Sequence, residues 1–255
     1  MILSIPLKVA IFLLALMTVA AQASAAEIKA FFPGAMRTAL AELIPQFEKS
    51  SGHKVVIYSG AVGSILDRLK NGDAADLVVV SERPLADLIR QGKIMPDGHA
   101  TVAVVDIGVF MRKGAVKPDI SSVDAFKKAL LSANSIVYAD PALRDSSALF
   151  VSGLLDRLGI AAEMKPKTKL VASNGKVEAV ARGDAEIGFD QMSNVVVDAR
   201  VEPIGLLPPG LRNPTKYVGG IVVDGKQQEA AKALIDFLRS SASQDVMKQK
   251  GFEPL

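Results

Sequence analysis

The sequence predicts an α/β fold with mostly parallel sheets flanked by helices, on three observations. Apolar segments of strand length alternate with helical patterns through nearly the whole chain. Several of those segments are continuous, Leu77-Val78-Val79-Val80 among them, which suits strands covered on both faces. Glycines follow the helical patterns at Gly52, Gly72, Gly92 and Gly159, where a left-handed residue ends a helix at least cost.

The predicted strands are 28–32, 54–58, 76–81, 102–111, 135–139, 169–172, 186–189 and 217–223. Between them run helical stripes with apolar residues three and four apart. Met36, Leu40, Leu43, Ile44 and Phe47 form the first, Val151, Leu154, Leu155 and Leu158 another, and Ala231, Leu234, Ile235 and Leu238 one near the C-terminus. Pro45 inside the first stripe predicts a kink or a split, since proline removes one helical hydrogen bond.

At 255 residues the chain is long enough for one large domain or two lobes. It holds 49% apolar and 22% charged residues, which excludes wholesale disorder. Aromatics are only 5%, with no Trp, so stacking surfaces for sugars or single-stranded nucleic acid are poorly supplied. No cysteine is present, which excludes disulfides, thiolate catalysis and Cys-ligated metal. With only His53 and His99, no His-rich metal cage can form, and no cofactor is expected. The net charge of +3 is scattered, without the clustered basic footprint that nucleic acid demands.

Residues 1–25 read as a secretory signal peptide. Lys8 marks a short charged region, Val9–Ala20 is unbroken apolar sequence, and Ala23-Ser24-Ala25 offers a small-x-small cleavage pattern. An exported periplasmic protein is therefore expected.

In parallel α/β sheets, ligands collect beyond the carboxyl ends of strands, where the next helix begins. Four such junctions are built from small residues: Gly34-Ala35-Met36, Ala61-Val62-Gly63, Ser146-Ser147 and Ser173-Asn174. Small residues let backbone N–H groups approach a ligand, and a helix start favours an anion. Gly, Ser and Asn are also common helix caps, so each junction alone has a structural explanation; four in one chain point to a site. Arg37 and Arg144 stand beside two of them, either as solvated arginines or as partners for a carboxylate. Asp140 and Asp190 follow strands, as turn caps, as bonds across the hinge or as a carboxylate pair. Ser173 and Lys176 match a Ser-x-x-Lys tetrad, so a secreted serine hydrolase is a remote alternative.

Those junctions, together with Lys70–Leu77, Ala139-Asp140-Pro141, Ala181–Phe189 and Lys250-Gly251-Phe252, resemble the periplasmic molybdate-binding protein family. The resemblance runs in order over residues 27–255. It implies the type II periplasmic binding protein fold, with residues 26–103 and 221–255 in one lobe, 104–220 in the other, and a ligand cleft between them. It further implies a monomeric solute-binding component of an ABC importer that binds a small anion, docks on an inner-membrane permease and catalyses nothing. By the same resemblance, hydroxyl donors of the family are replaced here by Ala35 and by Ala61 and Val62, and a tyrosine by Gln191, while Ser146 and Ser173 keep small residues. Each lost hydroxyl removes a bond to a charged acceptor, about 1.5–3 kcal/mol. A molybdate-like oxyanion or a small organic carboxylate are therefore both open, as is a solute-sensing role toward a membrane receptor.

Overall fold

The structure, a computed structural model, describes residues 25–255. The expected leader lies outside the described residues, except for Ala25.

Ten strands follow in chain order: β1 (Glu27–Pro33), β2 (Lys54–Gly60), β3 (Leu77–Ser81), β4 (Ile94–Val105), β5 (Ile107–Arg112), β6 (Ile136–Ala139), β7 (Thr168–Val171), β8 (Ile187–Gln191), β9 (Val201–Leu206) and β10 (Thr215–Val222). Between and after them run α1 (Arg37–Ser51), α2 (Val62–Lys70), α3 (Glu82–Arg90), α4 (Val123–Ser132) and α5 (Ser146–Arg157). The remaining helices are α6 (Ala161–Met164), α7 (Lys176–Ala181), α8 (Met192–Val195), α9 (Gln228–Arg239) and α10 (Ser241–Gln249).

The strands form two five-stranded sheets, ordered β2-β1-β3-β10-β4 and β7-β6-β8-β5-β9. Each sheet has its own apolar core. Phe32, Leu43, Phe47, Val78 and Leu234 pack in the first lobe, and Phe126, Val151, Leu154 and Phe189 in the second. The run Leu77–Val80 is buried throughout, as its unbroken apolarity predicts. Gly52, Gly72, Gly92 and Gly159 all take positive φ, from 64° to 84°.

Four expectations need correction. The sheets are mixed rather than mostly parallel. β1 pairs in parallel with β2 and β3, and β6 with β7 and β8, but β10 and β5 run antiparallel to both of their neighbours. These antiparallel strands are where the chain enters one sheet from the other, and so they arrive from the opposite end.

The predicted strand 102–111 is two strands, broken at Asp106, where the chain passes from the first sheet to the second. The return passage lies between β9 and β10, so the boundaries expected after residues 103 and 220 both fall inside strands of the first sheet.

Helix α1 is not split at Pro45, which sits on the exposed face, where the carbonyl left without its helical donor is open to solvent. Strand β9 and the first half of β4 were not predicted. They carry Pro203 and Gly205, and Pro96, Asp97 and Gly98, residues that read as turns but are tolerated at sheet edges, where both strands lie.

Candidate functional site

The carboxyl ends of β1 and β2 in one lobe, and of β7 and β8 in the other, open on a common cleft of about 440 Å³. From the first lobe it is lined by Pro33 to Ala35, Arg37, Thr38, Ser59 to Val62 and Tyr217. From the second come Asp145, Ser146, Ser173, Asn174, Val177, Asp190, Gln191, Asn194, Val197 and Asp198. The first turns of α1, α2 and α5 begin at this wall; the Arg37 amide of α1 donates to the Gly34 carbonyl, and the Ser147 and Ala148 amides of α5 are capped by Asp145.

Eight residues of the four junctions and of position 191 meet here: Gly34, Ala35, Ala61, Val62, Ser146, Ser173, Asn174 and Gln191. The other three do not line the cleft. Met36 is fully buried in the first lobe's core. Gly63 faces Leu143 and Arg144 of the opposite lobe, where an added Cβ would come within 2.7 Å of the Leu143 carbonyl oxygen and the Arg144 Cβ. Ser147 is buried behind the wall, its Oγ donating to Asp145 Oδ1 at 2.6 Å.

Arg144 also lies outside the lining. Its guanidinium crosses to the first lobe, pairing with Asp67 and donating to the Gly63 carbonyl at 3.1 Å. Asp140 caps the turn after β6 by accepting from the Ala142 amide, the bland alternative for that residue.

Lys176 is 1% exposed and stands between two carboxylates, 2.9 Å from Asp190 Oδ1 and 3.7 Å from Asp145 Oδ2. Burial would lower its ammonium pKa, but the charges of Asp190 and Asp145 hold it above the ordinary range. Burial likewise works to raise Asp145, yet Lys176 and the Ser147 hydroxyl leave that carboxyl below its ordinary value. For Asp190, wholly buried, burial dominates and pushes the carboxyl up despite Lys176. The Lys176 ammonium donates to Ser147 at 3.2 Å, not to Ser173. Held protonated and bonded to Ser147, it does not serve Ser173 as the Ser-x-x-Lys tetrad would require.

Charges at the wall are unequally matched. Asp198 pairs with Arg200, and Asp145 and Asp190 share Lys176, whereas Arg37 forms no ion pair among the described residues. Three side-chain oxygens of the lining, Thr38 Oγ1, Ser59 Oγ and Ser173 Oγ, are buried without a hydrogen-bond partner. Such atoms cost free energy unless a ligand or water completes them. Sequence reasoning missed Tyr217, Thr38 and Asn194. Tyr217 opens a predicted strand that enters the first sheet, and only the path of the chain brings it opposite Gln191, whose Nε2 donates to its hydroxyl at 2.6 Å.

The chain is 30% identical over 228 residues to a Pseudomonas protein named aconitate isomerase, covering 87% of this chain and 86% of that one. It is 28% identical over 237 residues to the molybdate-binding protein of Azotobacter vinelandii, covering 91% and 92%. Among solved structures, the periplasmic molybdate-binding protein of the same organism superposes with a TM-score of 0.75 at 20% identity, over 89% of this chain and 99% of that one. The family described as bacterial extracellular solute-binding protein matches residues 28–253. A two-lobed fold with a cleft at the strand ends, and a family match over nearly all of the described chain, lead to one conclusion: this chain belongs to the bacterial extracellular solute-binding proteins.

Proposed function

We propose that this protein binds a small organic polycarboxylate between its lobes, as the periplasmic solute-binding component of an ABC importer. The observation that carries the ligand class is Arg37, an exposed guanidinium at the cleft wall that forms no ion pair among the described residues, whereas the wall's carboxylates each have a cationic partner. A planar fork of donors suits a carboxylate, in which two oxygens are presented side by side. The replacements implied by the family resemblance agree, because Ala35, Ala61 and Val62 offer methyl groups where hydroxyl donors would encircle a tetrahedral oxyanion. The cleft volume of about 440 Å³ also suits a multi-carbon anion better than a four-oxygen ion. The name of the Pseudomonas relative points to the same ligand class.

A second reading, that the cleft isomerises such a ligand, is favoured by that same name and by the ionisable residues Asp145, Asp190 and Tyr217 in its lining. Binding is common to both readings.

The test is a thermal-shift and calorimetry panel of trans-aconitate, cis-aconitate and citrate against molybdate, tungstate and sulfate. A ligand at a hundred times its Kd stabilises the native state by about 2.7 kcal/mol, which is readily seen. Stabilisation by a tricarboxylate that is lost in Arg37→Gln is expected. Stabilisation by molybdate or sulfate and by no carboxylate would overturn the proposal.

A further inference from the structure

The wall of this cleft holds a charge system that binding an anion does not require. With Lys176 charged, two ionised carboxylates leave the trio one unit negative, which repels an anion; one proton on a carboxylate makes it neutral. Asp145 reaches the cavity from the turn before α5, and Asp190 from the end of β8.

In each carboxylate one oxygen is committed. Asp145 Oδ1 accepts from the Ser147 amide and hydroxyl and from the Ala148 amide. Asp190 Oδ1 accepts from the Gln191 amide, the Asn194 side chain and Lys176. The other oxygens are not so held. Asp190 Oδ2 enters no hydrogen bond among the described residues, and Asp145 Oδ2 has the 3.7 Å approach of Lys176, with the Ser173 hydroxyl close enough to act on the same carboxyl. A purely structural anchor would satisfy all four. Ser173 Oγ, buried and without a partner, lines the same stretch of wall.

We propose that Asp145 and Asp190 form an acid–base pair that shifts a proton along an unsaturated polycarboxylate, with Lys176 as the positioning residue between them. This rests on the polycarboxylate reading above. Asp145, as carboxylate, takes a proton from a saturated ligand carbon next to a carboxylate. The C–H bond breaks, and its electron pair becomes the new C=C bond. The electrons of the old double bond form a C–H bond at the far carbon with the proton released from Asp190. Asp145 ends protonated and Asp190 ionised; once the product leaves, Asp145 gives its proton to solvent and Asp190 takes one from it, while Lys176 stays charged between them. No oxidant, reductant or water is consumed. Arg37 lines the same cleft, where a guanidinium can stabilise charge spreading onto the ligand carboxylates. Burial pushes the Asp190 carboxyl up, which suits the acid role, and Asp145 enters as the carboxylate that a base must be.

The experiment uses the purified chain with trans-aconitate in D2O, followed by proton NMR, with calorimetry for binding. The wild type is expected to form an isomer carrying solvent deuterium. Asp145→Asn and Asp190→Asn are expected to keep calorimetric binding while losing turnover by about 10²–10⁴-fold, the usual share of general acid–base catalysis. Lys176→Met should lower kcat with KM little changed, and Lys176→Arg should restore part of it. Wild-type binding without isomer or deuterium would overturn the acid–base assignment and leave the binding reading standing, as would folded Asn variants that turn over at the full rate. Absence of wild-type binding would overturn both.

Discussion

Gln191, at the end of β8 in the second lobe, donates its side-chain amide to the hydroxyl of Tyr217, on β10 in the first lobe, at 2.6 Å. Both residues are buried and both line the cleft. A phenol thus stands beside position 191, supplied from the other lobe, and the contact ties the two lobes together at the cleft.

Tyr217→Phe should therefore cost about 1–3 kcal/mol, because the Gln191 amide is left buried without an acceptor. Burial, and then the Asp145 carboxylate, push the Tyr217 phenol above its ordinary value of 10.0. A group raised on folding contributes stability that is complete below its unfolded pKa and is lost above it. The wild type should accordingly lose stability as the pH climbs past about 10. Denaturant melts across that range should show a shallower fall in Tyr217→Phe.

At low pH the sign reverses for Asp145. Its carboxyl lies below the ordinary 3.8 in the folded chain, so its contribution is present above that value and fades as the pH falls beneath it. Asp145→Asn should flatten the acid limb of the stability curve below about pH 4. An unchanged limb, measured by urea titration at stepped pH, would show that the Lys176 contact does not act on this carboxyl.

The passages between the lobes carry their own ion pairs. Asp106 lies in the first passage, is 1% exposed, and pairs with Arg212 of the second passage; Arg212 also reaches Glu253 of the C-terminal tail. Arg212→Ala leaves a buried carboxylate without its charged partner, at a cost of about 1–3 kcal/mol. The melting temperature should drop. Asp106→Asn combined with Arg212→Ala should recover part of the loss, because no unpaired charge is then buried.

Much of this architecture was legible in the sequence because it is local. Continuous apolar runs gave the buried strands, and glycines gave the helix ends. The four small-residue junctions were found for the same reason: strand, short turn and helix start are consecutive in the chain. What escaped depends on distant chain paths. Tyr217 joins the cleft only because β10 returns to the first sheet, and Arg144 leaves the ligand wall only because Asp67 stands across from it. Asp106 looked like the middle of a strand, since the apolar pattern on both sides of it is strand-like and nothing local marks a change of sheet. The Lys176 trio was half visible: Ser173 and Lys176 suggested each other by spacing, whereas the true partners come from α5's cap and β8.

The pairing of Arg144 with Asp67 joins the rims of the cleft in the open, with side chains 49% and 57% exposed. Exposed pairs contribute little to stability, about 0.2–1 kcal/mol. Asp67→Asn should therefore leave the melting temperature almost unchanged. It should speed ligand release, and the effect should shrink as salt screens the wild-type pair. Stopped-flow dissociation at two salt concentrations separates this from a change at the ligand itself, which salt would leave in place.

Beside that pair, Gly63 decides how closely the rims can meet. An added Cβ would sit 2.7 Å from the Leu143 carbonyl oxygen and the Arg144 Cβ, closer than side chains approach backbone, while nothing in its own helix demands a glycine there. Gly63→Val should leave both lobes folded and hold them apart. Overpacking of this kind costs about 1–3 kcal/mol, and here the strain falls on the arrangement in which the two rims meet. Since 1.4 kcal/mol is a factor of ten, ligand affinity should fall by about five- to a hundredfold. Small-angle scattering should show a larger radius of gyration for the variant with ligand than for the wild type with ligand, and no difference between the two without it. Equal radii with ligand, at equal affinity, would mean that the rims need not touch for the cleft to hold its guest.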